Sequence, residues 1–278
     1  MRKLIDFIMT HPLFAGIAGI FVALFSIRCC DTAGDPLSEG ILRMLLVGTM
    51  AFFLYFVSRE KTLQKCGVET GYVVRVLSPL LITAAFLGGL GVAGGFLEHT
   101  PMQPNWISNF FLVLFEMLFV GLFEETAFRA LINDAIVYQF RKFRYVFLLS
   151  AVLSSLIFGY VHVMFVPINS PIMAGQVVGK TISTGLFGLA SLFLYWKTRN
   201  IWAVALAHAF YDILTQLALI IVGQSSSLGV GSYVLSGQKG IIAICTYLLQ
   251  IVITGLITLR IWKKVGKTID FEAMRRNW

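Results

Sequence analysis

Charge is what this sequence has least of. Only 13% of its 278 residues are Asp, Glu, Lys or Arg, against about 25% in soluble domains. No polar stretch outside its apolar runs is longer than a short loop or tail, which excludes a sizeable soluble domain. Cysteine is scarce too. Cys29 and Cys30 are adjacent, Cys66 falls in a loop, and Cys245 lies inside an apolar run. With no C-x-x-C spacing, neither a disulfide framework nor a cysteine zinc site is indicated. The chain also lacks H-E-x-x-H, G-x-S-x-G and any evident internal repeat, so it offers no helical zinc-protease motif and no nucleophile elbow. Arg2 and Lys3 precede an apolar run without a small-residue cleavage site, which reads as an uncleaved first span.

What is present is hydrophobicity. Apolar residues make up 58% of the chain, and mean hydropathy is +0.82. A membrane-spanning helix needs about 20 consecutive apolar residues. Runs of that kind cover approximately 11–27, 40–57, 72–97, 107–139, 145–165, 172–196, 200–222 and 240–262. The expected fold is therefore all-α: a polytopic bundle of about eight transmembrane helices forming one integral-membrane domain over 1–278. The third run carries Gly88, Gly89, Gly91, Gly94 and Gly95, a density that favours close helix packing. The fourth, at ~50 Å as a helix, is too long for one simple crossing of a ~30 Å hydrocarbon core.

The net charge of +8 has a topological reading. Cations gather before span one (Arg2, Lys3) and after spans two (Arg59, Lys61, Lys65), four (Arg141, Lys142, Arg144), six (Lys197, Arg199) and eight (Lys263, Lys264, Lys267, Arg275, Arg276). The alternate loops hold Asp31, Asp35 and Glu39 with Arg28, then Glu98 and His99. Positive residues stay cytoplasmic, so both termini are expected inside. Lipid headgroups account for the basic charge, and no nucleic-acid partner is needed. Pro167 and Pro171 bracket a turn, 224–240 reads as the longest outer loop, and 263–278 reads as a cytoplasmic amphipathic tail.

The fourth run breaks its own pattern. Glu124, Glu125 and Arg129 lie inside a membrane-grade segment, where each charge costs about 2.5–3.5 kcal/mol at the bilayer centre. Such groups need partners. Glu125 and Arg129 are four apart on one helical face and can pair. Glu124 points about 100° away, free for chemistry. Further polar groups follow on other spans: His162, then His208 and Asp212, which share a face at a spacing of four. Convergence of Glu124, His162, His208 and Asp212 inside the bundle would explain why each is in lipid. Glu116, eight residues before Glu124, falls on a similar face and is a candidate cavity residue. Lys180 reads as a counter-charge or a snorkelling lysine. Tyr160 and Tyr211 are either hydrogen-bond donors or packing aromatics.

Two chemistries suit such a set. A carboxylate beside histidines in a dry pocket can act as a general base on water, with a second histidine donating to an oxyanion. Alternatively Glu124, His162 and His208 could hold zinc with an open water position. Outside hydrolysis, the same groups would serve an ion-coupled transporter, although no paired inverted halves are visible. A catalytically idle membrane scaffold or immunity factor would keep the fold without the chemistry.

Glu124-Glu125-x-x-x-Arg129, Phe158-x-x-x-His162 and His208-x-x-x-Asp212, in that order on separate spans, resemble the CPBP family. This is the CAAX-protease and bacteriocin-processing group of intramembrane proteases, including the type II CAAX prenyl endopeptidases. The resemblance covers roughly 107–222. It implies an eight-helix core that activates water against a peptide bond of a membrane-associated peptide or protein. Glu124 would be the base, assisted by His162. His208 and Asp212 would bind the oxyanion or join in holding a metal, and Glu125 with Arg129 would be support. The prenyl endopeptidases carry Asn where this chain has Asp212. A carboxylate accepts hydrogen bonds and donates only when protonated, which shifts Asp212 toward positioning water or a metal.

The histidine depths need explaining. His162 lies ~25 Å along its run from the basic loop before Tyr145, and His208 only ~12 Å from Asn200, at 1.5 Å per residue. Their meeting requires the fifth span to begin outside the lipid, near Arg141 to Arg144, or some helix to tilt or break.

Overall fold

The computed structural model describes Phe7 and residues 10–29, 35–57, 69–223 and 235–277. Arg2, Lys3, Cys30, Asp31, Arg59, Lys61, Lys65, Cys66, Trp278, the side chain of Arg276 and most of the 224–240 loop lie outside them. Most of the described residues are helical, and there is no strand among them. In chain order they form α1 (Pro12–Cys29), α2 (Pro36–Val57), α3 (Thr70–Leu97), α4 (Trp106–Glu125), a π-helical stretch (Thr126–Ile132) and α5 (Asn133–Gln139). Then come α6 (Val146–Val161), α7 (Pro171–Thr198), α8 (Ile201–Thr215), α9 (Leu217–Val222), α10 (Gly237–Val265) and α11 (Phe271–Asn277).

Six helical stretches are long and apolar enough to cross a membrane: α1, α2, α3, the continuous α4–π–α5 rod, α7 and α10. The fifth and seventh runs give the shorter apolar helices α6 and α8. At 16 residues, α6 is only ~24 Å long. The seventh run breaks at Gln216, which caps α8 and starts α9. The lipid-facing side of the bundle is as apolar as its core: Phe21, Tyr55, Ile82 and Leu256 are all exposed. A water-soluble protein of this size would not leave such a surface open, so this is a polytopic helical membrane protein.

Packing places α4 at the centre. It lies against α2 and α8, while α8 also packs on α3, and α7 packs on both α6 and α10. Gly121 permits the α4–α8 contact: a Cβ there would stand 2.7 Å from the Ala205 carbonyl oxygen and 3.1 Å from the Ala209 nitrogen. Of the α3 glycines, Gly88 meets Leu214 and Gly95 meets Val222, whereas Gly89 and Gly94 face open space. All seven residues of the π stretch are buried. A π turn is rare and often marks a functional segment; here it follows Glu125 directly. In the tail, Phe271 meets Phe147 in a tilted contact at 4.7 Å and Met274 packs against the main core.

Candidate active site

Glu116, Val120 and Glu124 recur every four residues along α4 and line one cavity of about 260 Å³. Glu124 Oε2 stands 3.6 Å from His162 Nε2 and 3.8 Å from His208 Nε2. Asp212 Oδ2 lies 3.3 Å from the same His208 nitrogen. Groups from α4, the end of α6 and α8 thus converge, as the spacing argument requires. A second, apolar crevice of about 200 Å³ also reaches the Glu124–His162 pair, lined by Ile20, Leu24 and Ile27 of α1 with Phe128 and Phe165.

Each histidine is held by its far nitrogen. His162 is the C-cap of α6, and its Nδ1 lies 2.7 Å from the Phe158 carbonyl oxygen. That oxygen can only accept, so Nδ1 carries the hydrogen and Nε2 faces Glu124. His208 Nδ1 lies 2.7 Å from Glu125 Oε1, which likewise turns Nε2 to the cavity. A carboxylate on the far side of an imidazole fixes the direction of the ring.

Glu125 therefore does more than pair with Arg129. Its Oε2 stands 3.0 Å from Arg129 Nε, so the carboxylate links a guanidinium to a site histidine. Glu125 is 0% and Arg129 1% exposed. The terminal nitrogens of Arg129 have no hydrogen-bond partner among the described residues. The guanidinium lies instead over the Phe158 ring, 3.9 Å from its centroid, a cation–π contact. The Phe158 ring also meets His162 at 4.8 Å and His208 at 6.0 Å. The motif's phenylalanine is thus a wall shared by three site residues.

Other polar residues enter the cavity wall. Lys180 of α7 lines it with Tyr211, and so do Arg43 of α2 and Gln250 and Thr254 of α10. Glu116 lines it as its face predicts. Tyr160 is exposed and not among the lining residues. Arg43, an arginine in an apolar run, carried the only sequence signal for a second cation here; it pairs with Glu39 at 3.2 Å.

A metal is a poorer fit than the ligand types alone imply. Among the described residues, no group of three or more His, Cys, Asp or Glu is placed to hold a metal ion.

A second buried polar cluster was not anticipated. Asp134, 0% exposed, accepts two hydrogen bonds from Arg199, at 3.1 and 2.7 Å, and one from the Tyr195 hydroxyl at 2.8 Å. An acid in the apolar stretch after Arg129 was the available hint. Arg199 is a buried-cluster partner as well as a loop cation.

No curated protein and no solved structure matches the chain. Residues 106–214 match the family model described as Type II CAAX prenyl endopeptidase Rce1-like. That segment runs from the first residue of α4 through both histidine motifs to within one residue of the end of α8, the stretch that carries the three motifs.

Proposed function

We propose that the chain is an intramembrane endopeptidase whose Glu124, steadied by His162, activates a water molecule. The observation that carries this reading is the placement of Glu124 Oε2 within 3.6 Å of one imidazole Nε2 and 3.8 Å of another, at the edge of a cavity. Glu124 Oε2 takes a proton from water, and the water oxygen attacks the peptide carbonyl carbon. The carbonyl oxygen becomes an oxyanion, to which His208, an imidazolium held between the Glu125 and Asp212 carboxylates, donates from Nε2–H. As the C–N bond breaks, Glu124 returns the proton to the departing nitrogen. Glu125 holds His208 for that step by accepting from Nδ1–H. Asp212, a carboxylate, keeps the His208 ring in place from its other edge.

The substrate class follows from the surroundings and the family match. A membrane-associated peptide can lay an apolar stretch in the α1 crevice and its polar chain in the larger cavity, crossing Glu124 between them. A CAAX-type C-terminal peptide carrying a prenyl group is the first to try. The cation pattern supports an orientation with both termini cytoplasmic.

Glu124→Gln is the test. The purified full-length protein in liposomes is given a quenched fluorescent peptide ending in a prenylated CAAX box. Loss of cleavage by at least ~10²-fold, the scale of general-base catalysis, with unchanged thermal unfolding, is expected. Cleavage persisting in Glu124→Gln would remove the base from the mechanism. Ion-dependent flux without any cleavage would replace the hydrolase by a transporter.

A further inference from the structure

We propose that Lys180 is a catalytic residue, the ammonium that binds the oxyanion in place of the donor Asp212 cannot provide. The inference rests on the endopeptidase reading of the same site.

Lys180 is 7% exposed, deep for an ammonium, whose burial is expensive unless it is paired. Snorkelling does not explain it. It lies ten residues from the N-cap Ser170, ~15 Å along the helix, and it lines the polar cavity. The packing of α7 aims it there. Gly159 of α6 lies so close to the Thr181 carbonyl that a Cβ would collide with it. Gly179 lies under Tyr247 of α10. With those neighbours taken by α6 and α10, Lys180 joins Ser183, Thr184 and Phe187 on the stripe facing Glu124 and Asp212. The charges of Asp212 and Glu124 both act on it.

The chemistry asks for such a group. The developing oxyanion needs hydrogen-bond donors fixed in advance. His208 Nε2 is one. Asp212 accepts only and is already 3.3 Å from that nitrogen. Of the two cationic side chains lining the cavity, Arg43 is drawn to Glu39 at 3.2 Å, while Lys180 shares its stripe of the wall with Ser183 and Thr184. Lys180 offers three N–H donors. While it is attracted to Asp212, it is held in position before substrate arrives. In the reaction Glu124 takes the water proton, the water oxygen bonds to the carbonyl carbon, and the new oxyanion accepts from Lys180 Nζ–H without proton transfer. Collapse expels the amine, which takes its proton from Glu124.

The test uses full-length protein in liposomes and the same prenylated quenched peptide, with Lys180→Met, Lys180→Met/Asp212→Asn and Lys180→Met/Asp212→Leu, each checked by thermal unfolding. Lys180→Met is expected to lower kcat about 10²–10³-fold, the effect of losing one oxyanion donor, with KM nearly unchanged. Asp212→Asn places an amide N–H where the carboxylate was, and the double variant should recover at least ~10-fold of that loss. Asp212→Leu removes the same charge but donates nothing, and should recover none. Equal recovery by Asn and Leu would mean that Lys180 only balances charge, and would overturn the proposal. So would a Lys180→Met variant with normal kcat, or one altered in KM alone. If the unmodified protein cleaves and Glu124→Gln does not, any of these results sinks the lysine's role while leaving the endopeptidase reading intact. If the unmodified protein does not cleave, both fall.

Discussion

Replacing Arg129 by Met should damage this protein as much as replacing Glu125 by Gln, and making both changes should damage it less than their sum. The pair is fully buried, with Glu125 at 0% and Arg129 at 1% exposure and 3.0 Å between Oε2 and Nε. At an effective dielectric near 20, two unit charges at that distance attract by roughly 5–6 kcal/mol. Desolvation consumes much of this, so the pair is a weak source of net stability. Removal of one member alone strands the other, at about 3–5 kcal/mol. Arg129→Met leaves Glu125 with His208 alone. Glu125→Gln leaves a guanidinium over the Phe158 ring without its paired carboxylate. In the double variant neither charge is stranded. Gln can still accept the His208 Nδ1–H through its amide oxygen, so that contact survives. The measurement is equilibrium unfolding of the four proteins in mixed micelles, read as a double-mutant cycle. A coupling of well over ~1 kcal/mol is expected. Additivity within about 0.5 kcal/mol, as for independent sites, would refute the claim that these two residues neutralise each other.

Two further outcomes follow from the geometry. Cleavage of the prenylated peptide should survive EDTA and 1,10-phenanthroline, and metal analysis of the purified protein should find less than one equivalent of zinc; a stoichiometric metal lost together with activity would replace the water–glutamate step. Asp134→Asn weakens the bidentate contact that fixes Arg199 at the start of α8, and should cost about 1–3 kcal/mol in the same micelle assay while lowering kcat through His208; unchanged unfolding would show that the cluster does not anchor α8.

Much of this was legible because the bilayer makes charge conspicuous. Glu124, Glu125, Arg129, His208 and Asp212 stand out from apolar neighbours, and i, i+4 spacing alone pairs Glu125 with Arg129 and His208 with Asp212. Helical spacing cannot show which residues on different helices touch. Glu125 is a second-contact residue by spacing, yet it holds His208 at 2.7 Å across 83 positions of sequence. Lys180 is ambiguous for the same reason: a lysine in an apolar run reads alike whether it reaches for headgroups or for a cavity. The π stretch has no sequence signature of its own. Span lengths were misjudged only where polar caps interrupt apolar runs, at His162 and Gln216.

The unequal depths of the two histidines resolve through the buried acid. Counting from loop ends assumes that every turn on one side lies at one level. Arg199, with φ 51°, closes α7 in the left-handed conformation, and its guanidinium reaches back to Asp134, ten residues beyond Glu124 on the α4–α5 rod. The α7–α8 turn is thereby fixed at the level of Asp134, before that rod has ended at Gln139. The chain then needs the turn 140–145 before α6 begins at Val146. So α6 starts further along the bundle axis than α8 does, and its longer climb to His162 ends where the shorter climb to His208 ends. The same offset leaves α6 and α8 too short to cross the bilayer unaided. The end of α6 stops beside Glu124 and the end of α8 at Gln216 reaches Met117, about two turns earlier on α4, and both polar caps line the cavity.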